Sequence, residues 1–154
     1  MINKKNLILL NHLREDSRIA LSVISRSTNI PTSTLYDLLR ELRSGLIVKS
    51  TVLLDYAKLG LHTRTQVVLR VESGDKERLI KHLFFHSQVN NVYKTTGSWD
   101  LIIETVHKNN KEFASFLEDL SRKYKVTDKQ VLFLVEEVKK EGFTLNSNLL
   151  PQKH

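Results

Sequence analysis

A change of hydrophobic period near Gly60 predicts an α+β protein of two parts, an N-terminal winged helix-turn-helix and a C-terminal βαββαβ ferredoxin-like domain. Three observations carry this. Before Gly60, apolar residues recur at helical spacing in three short segments. After it, stretches that alternate every second residue are interleaved with two helical stripes. The breaks fall on turn-forming residues: Asn29 to Thr34 (Asn-Ile-Pro-Thr-Ser-Thr), Gly45, Gly60, Gly74-Asp75 and Thr96-Gly97-Ser98.

In the first part, Asn3 or Asn6 can cap a helix that buries Leu7, Leu9, Leu10 and Leu13. A second helix is expected from Leu21 to Thr28. Pro31 cannot continue it, and Thr32 or Ser33 can cap the next helix, about Ser33 to Ser44. That helix puts Leu35, Leu38, Leu39 and Leu42 on one stripe, so Thr34, Tyr36, Asp37, Arg40 and Arg43 face outward. Gly45 is expected to supply a left-handed stop. The β-branched run from Leu46 to Leu54 then reads as a strand, the wing. The second helix of such a unit fits the major groove of DNA.

In the second part, Thr63 to Glu72 alternates. Thr65, Val67, Leu69 and Val71 share one face, and Arg64, Gln66, Val68 and Arg70 the other. A helix follows with Leu79, Ile80, Leu83 and Phe84 as its stripe. Strands Val89 to Thr96 and Trp99 to Val106 form a hairpin about Thr96-Gly97-Ser98. Asn110 caps a helix bearing Phe113, Phe116, Leu117, Leu120 and Tyr124, and Gln130 to Val138 is the last strand. Right-handed crossovers place both helices on one sheet face. On the opposite face, alternation leaves Val68, Ile102, Leu132 and Leu134. An apolar sheet face of that kind marks an interface, and two such faces packed across a two-fold axis would make a homodimer. The predicted division is residues 1–54 for the winged helix-turn-helix, 55–61 for a hinge, 62–140 for the sheet domain and 141–154 for a polar tail. The tail is expected to be disordered or to latch onto a neighbouring subunit.

Composition agrees with a polyanionic partner. Lys and Arg number 24 against 17 Asp and Glu, a net charge of +7, and the pI is about 9.7. Residues 1–60 carry +4 of this, nine basic against five acidic, and are the more basic per residue. There is no cysteine, which excludes disulfides and thiolate chemistry. No apolar run reaches the ~18 residues of a membrane span, and Met1 to Lys5 is no signal peptide, so a cytoplasmic protein without membrane attachment is expected. His82 and His86 sit at i, i+4 on the expected solvent side of their helix, but no third ligand accompanies them, so no metal is predicted. No nucleophile and base pair, and no cofactor motif, stands out; the chain is not read as an enzyme.

Five blocks in order resemble the Lrp/AsnC (feast–famine) transcriptional regulators: Leu9-Leu10, Leu13 and Asp16-Ser17-Arg18; Ile30 to Leu35; Leu42 and Gly45-Leu46-Ile47; Leu59-Gly60; and Val92-Tyr93 with Thr96 to Leu101. The resemblance spans about residues 3 to 140. It implies a regulator that binds double-stranded DNA, dimerises through the βαββαβ domain, often assembles further (an octamer among the options), and takes a free amino acid as effector between dimers. Where members often carry Arg or Lys within the recognition helix, this chain has Asp37 and Leu38. DNA contact therefore falls to Thr32, Ser33, Thr34, Tyr36, Arg40 and Arg43, with Lys49 on the wing. Asp37 repels phosphate or accepts from a cytosine amine, and Arg40 is the best candidate for a bidentate guanine contact.

The resemblance places the effector at Gly97, Ser98, Trp99 and Asp100. Backbone amides there suit a carboxylate, and Asp100 suits an ammonium. Thr127, Asp128 and Lys129 align with the run that completes the pocket, although Asp128 is bulkier and more acidic than that run leads one to expect. The rival reading is an amino-acid-binding regulatory subunit of a metabolic system that does not touch DNA. An RNA-binding sheet is disfavoured because Leu101 to Val106 is without stacking aromatics.

Overall fold

The computed structural model describes residues 2–150, which form two compact units. One comprises the chain up to Leu53 together with the segment from Lys139 onward; the other is Leu54–Val138.

The first unit holds α1 (Lys4–Glu15), α2 (Leu21–Thr28) and α3 (Thr32–Gly45). Asn3 caps α1 through a reciprocal pair with Asn6: each side-chain oxygen accepts the other residue's backbone N–H, at 2.8 and 3.1 Å. Asn29, at φ 57°, takes the left-handed turn that ends α2; its short polar side chain tolerates that conformation. Leu9, Leu10, Ile24, Ile30, Leu35 and Leu42 form the core, with Leu13, Leu38, Leu39 and Leu145 packed on it.

Local expectations fail at both ends of α3. Pro31 occupies the cap position and no side chain caps the helix. Gly45 stays helical, Leu46 following in right-handed conformation with its N–H on the Leu42 carbonyl. The run from Leu46 to Leu54 forms no strand: it enters no sheet ladder, and Val48, Val52, Leu53 and Leu54 stand exposed. Residues 141–145 run back along α1 of the same chain. There Asn11 Nδ2 donates to the Leu145 carbonyl at 2.8 Å and its Oδ1 accepts the Leu145 N–H at 3.0 Å. Arg14 Nη2 donates to the Glu141 carbonyl at 2.8 Å. The last tail residues, 151–154, lie outside the described residues.

The second unit contains β1 (Thr63–Val71), α4 (Ser73–Phe85), β2 (Val89–Lys94), β3 (Leu101–His107), α5 (Asn110–Lys123) and β4 (Val126–Phe133). Its four-stranded sheet has the order β2-β3-β1-β4, with every neighbouring pair antiparallel. Both helices cover one face, where Val67, Leu69, Val71, Leu101 and Ile103 meet Leu79, Leu83, Phe113, Phe116 and Leu120.

Several boundaries differ from expectation. Asn109, not Asn110, caps α5, its side chain accepting the Glu112 N–H at 2.9 Å. The β2–β3 connection spans 95–100, so Trp99 and Asp100 lie outside the strand. β4 begins and ends earlier than alternation suggests, because Val126 pairs with Val71 through an irregularity between Arg70 and Val71. Phe84 is exposed: Leu79 and Leu83 fill the core, and its ring packs edge to face on Phe85. His86 turns inward rather than to solvent, edge-on to Phe116 at 4.9 Å between centroids.

Candidate functional site

The α3 surface opposite its leucines carries Thr32, Ser33, Tyr36, Asp37, Arg40 and Arg43, all exposed, with Thr34 half-buried beside them. Asp37 and Arg40 form an i, i+3 pair, Arg40 Nη2 donating to Asp37 Oδ1 at 3.1 Å. Such an exposed pair is worth little, so Arg40 can leave it for a base or phosphate at small cost. Thr34, Asp37, Arg40 and Glu41 line one shallow depression along the helix. Arg43 and Lys49 line another, larger cleft of this unit with Arg14 and Arg18. Of the predicted residues, Thr34, Asp37 and Arg40 share the first depression and Arg43 and Lys49 the second, where Arg14 and Arg18 accompany them, while Thr32, Ser33 and Tyr36 line neither. The exposed positions of Arg14 and Arg18 gave no periodic signal that could have singled them out.

The two halves of the predicted effector site lie side by side. Arg70, near the end of β1, faces Asp128 on β4 in register. The 95–100 turn is held by Thr95 N–H on the Asp100 carbonyl at 2.9 Å and by Thr95 Oγ on the Trp99 carbonyl at 2.7 Å. Gly97 sits at φ 89°, a conformation any side chain would strain. Arg70 ties the turn to β4. Its Nε donates to the Ser98 carbonyl at 2.7 Å, its guanidinium carbon lies 5.2 Å from the centre of the Trp99 ring, and its Nη1 is 3.8 Å from Asp128 Oδ2. Thr127 Oγ donates to the Arg70 carbonyl at 3.3 Å. Lys129 Nζ instead reaches Ser121 of α5, at 3.3 Å.

Asp100 does not stand ready for an ammonium group. Its Oδ2 accepts the Val71 N–H and its Oδ1 accepts Lys76 Nζ, both at 2.9 Å. The Val71 amide first, then Lys76, hold its carboxyl below the ordinary carboxylate range. Arg70 and Lys76 are the residues that sequence reasoning missed. Both read as ordinary solvent-facing charges until the strand register is known.

On the outer sheet face Val68 stands opposite Ile102, with Tyr93 beyond it on β2 and Leu132 on β4. Leu134 lies just past β4, its N–H on the Arg64 carbonyl at 2.9 Å. The orientation is the expected one, but the face is not bare. Arg64 Nη2 donates to Glu104 at 3.0 Å and to Glu137 at 2.9 Å, and Asn90 and Asn91 also donate to Glu104. Burial opposes the charge on Glu104, yet Arg64 and the two asparagines hold its carboxyl below the ordinary range.

Comparison with known proteins identifies the family of this fold. The family model of the Lrp/AsnC ligand binding domain matches residues 63–142. The HTH-type transcriptional regulator FL11 of Pyrococcus horikoshii is 30% identical over 118 residues, 76% of each chain. FL11 of Pyrococcus abyssi is likewise 30% identical, over 69% of this chain and 71% of its own. The crystal structure of a Neisseria meningitidis transcriptional regulator in complex with L-methionine superposes with a TM-score of 0.88 at 19% identity, covering 97% of this chain and all of that one. The structure of Escherichia coli AsnC gives 0.81 at 15% identity, over 91% and 96%. The chain belongs to the Lrp/AsnC family.

Among the described residues no helix is long and apolar enough to cross a membrane.

Proposed function

We propose that this protein is a sequence-specific, DNA-binding transcriptional regulator of the cytoplasm, a binding protein rather than an enzyme, whose activity is modulated by a free amino acid. The observation that carries the reading is the α3 surface of a chain in this family. There Arg40 stands outward, held among the described residues only by an exposed pair with Asp37, flanked by Thr32, Ser33, Thr34, Tyr36 and Arg43, with Lys49 on the segment beyond. In this reading those side chains divide the work. Hydroxyls and Lys49 meet phosphates, Arg40 reads a guanine edge, and Asp37 orients Arg40 or accepts from a cytosine amine.

Two chains pair through the outer sheet face about Val68, Ile102, Leu132 and Leu134, and the dimer assembles further. A two-fold pair of α3 helices then reads half-sites about one helical turn apart, roughly 34 Å. The effector binds at Gly97, Ser98 and Trp99 with Thr127 and Asp128, Asp100 holding the turn in place through the Val71 amide and Lys76. Support comes from the adjacency of these two segments and from the neighbouring Neisseria regulator solved with L-methionine.

Selection of bound sequences from a genomic pool, followed by gel shift at several salt concentrations, tests this. A palindromic operator and a steep loss of affinity with salt are expected. The variant R40A should lose about 1–3 kcal/mol on the selected site and relax specificity at one position. Absence of any retained duplex would favour the rival regulatory-subunit reading.

A further inference from the structure

We propose that residues 141–145 are a built-in competitor of DNA: lying on α1 they hold Arg14, and when they leave, Arg14 becomes a further phosphate-binding residue. The inference rests on the DNA-binding reading above and adds to it a regulator that belongs to the same chain.

Side chains of α1 fasten the segment, which belongs to no sheet or helix of its own. Asn11 treats Leu145 as a neighbouring strand would, donating to its carbonyl and accepting its N–H. The Leu145 side chain packs on the core beneath. Arg14 holds the other end. Its Nε donates to the Phe143 carbonyl at 3.1 Å and its Nη2 to the Glu141 carbonyl at 2.8 Å, with the Glu141 carboxylate 3.6 Å from Nη2. Glu141 takes a φ of 49° there, a left-handed conformation uncommon for a residue with a side chain.

These bonds fall on one member of a cationic group. Arg14, Arg18, Arg43 and Lys49 line the same cleft of about 800 Å³. Among the described residues the side chains of Arg18, Arg43 and Lys49 are in no hydrogen bond or ion pair. The cleft's carboxylates are Glu15, Asp16 and Glu141. Asp16 is turned to the backbone N–H of Arg18, at 2.9 Å. Among the described residues Glu141 alone of the three is paired with one of the four cations. Departure of the segment therefore removes a negative charge from the cleft and frees a guanidinium, and both changes favour a polyanion. Arg14 then exchanges two backbone carbonyls and an exposed carboxylate for phosphate oxygens, which its planar fork can take in pairs. Segment and duplex exclude one another at Arg14, so each weakens the hold of the other.

The test uses the full-length protein and a fluorescein-labelled random-sequence duplex, titrated by fluorescence anisotropy at several salt concentrations. N11A and, by a second route, L145S should release the segment, seen as faster hydrogen exchange across residues 141–145. Each should bind the duplex several-fold more tightly, with the slope of log K against log salt steeper by about 0.9, one phosphate contact. R14Q releases the same segment without freeing a cation, so it should bind no more tightly than wild type. N11A combined with R14Q should match R14Q alone, which separates competition from mere loosening. If neither N11A nor L145S speeds exchange, the segment is not held as described and the inference falls. If they exchange faster yet bind the duplex no more tightly, or if the gain survives R14Q, the competitor assignment is wrong while DNA binding stands. If wild type retains no duplex at any salt, the inference and the DNA-binding reading fall together.

Discussion

Replacing His107 with leucine should make the sheet unit more stable and less sensitive to acid. The imidazole is wholly buried at the end of β3, between the rings of Phe113 and Phe116 at 5.5 and 5.2 Å. Neither ring nitrogen has a hydrogen-bond partner among the described residues. A buried polar group left unsatisfied costs about 1–3 kcal/mol, and an apolar side chain of similar volume removes that cost. For a unit of this size each kcal/mol moves the melting point by roughly 4–8 °C, so H107L should melt several degrees higher at pH 7.5.

The same burial disfavours the charged ring and pushes the His107 pKa below its ordinary 6.5. Glu112 opposes that shift, and His86 adds to it. A depressed histidine pKa means that the unfolded chain binds the proton more tightly. Wild-type stability is therefore level above about pH 7 and declines as pH falls through 6.5 toward the folded-state value. H107L should show a shallower decline. It should not abolish it, because burial and the neighbouring His82 and Lys123 depress His86 as well. Thermal unfolding followed by circular dichroism from pH 7.5 to 5 measures both effects. A lower melting point for H107L at pH 7.5, with an undiminished pH slope, would refute the reasoning.

Other consequences are equally direct. N11A removes both bonds to Leu145 and should loosen the C-terminal segment by about 2 kcal/mol, seen as faster hydrogen exchange at the Leu145 amide. Thr65 and Thr105 share a buried hydroxyl–hydroxyl bond of 2.7 Å. T65V alone should therefore cost about 1–3 kcal/mol in denaturant unfolding, while T65V with T105V should recover most of it. N109A should destabilise the sheet unit by about 1 kcal/mol through loss of the α5 cap, again by denaturant unfolding.

The amino-acid pattern alone determined which side chains form the two cores and where the chain turns between them. Leu35 and Leu42 in α3, Val67 and Leu69 in β1, and Phe113, Phe116 and Leu120 in α5 are buried as their spacing requires. Apolar burial follows local period, and a period is written in neighbouring residues. What depended on distant partners was not legible. The β-branched run after Gly45 has strand propensity but no ladder. Phe84 has helical spacing but no room in a core already filled. The start of β4 follows from the irregular pairing of Val71 with Val126.

At the predicted effector turn the bend was readable from Gly97, but the partners of its charges were not. Asp100 proved occupied because the fold brings the Val71 amide and Lys76 to it, and Arg70 meets both the turn and Asp128 because β1 pairs with β4. A charge acts over a few ångströms of space, however many residues of chain separate the partners. Only the folded register could decide which opposite charges meet.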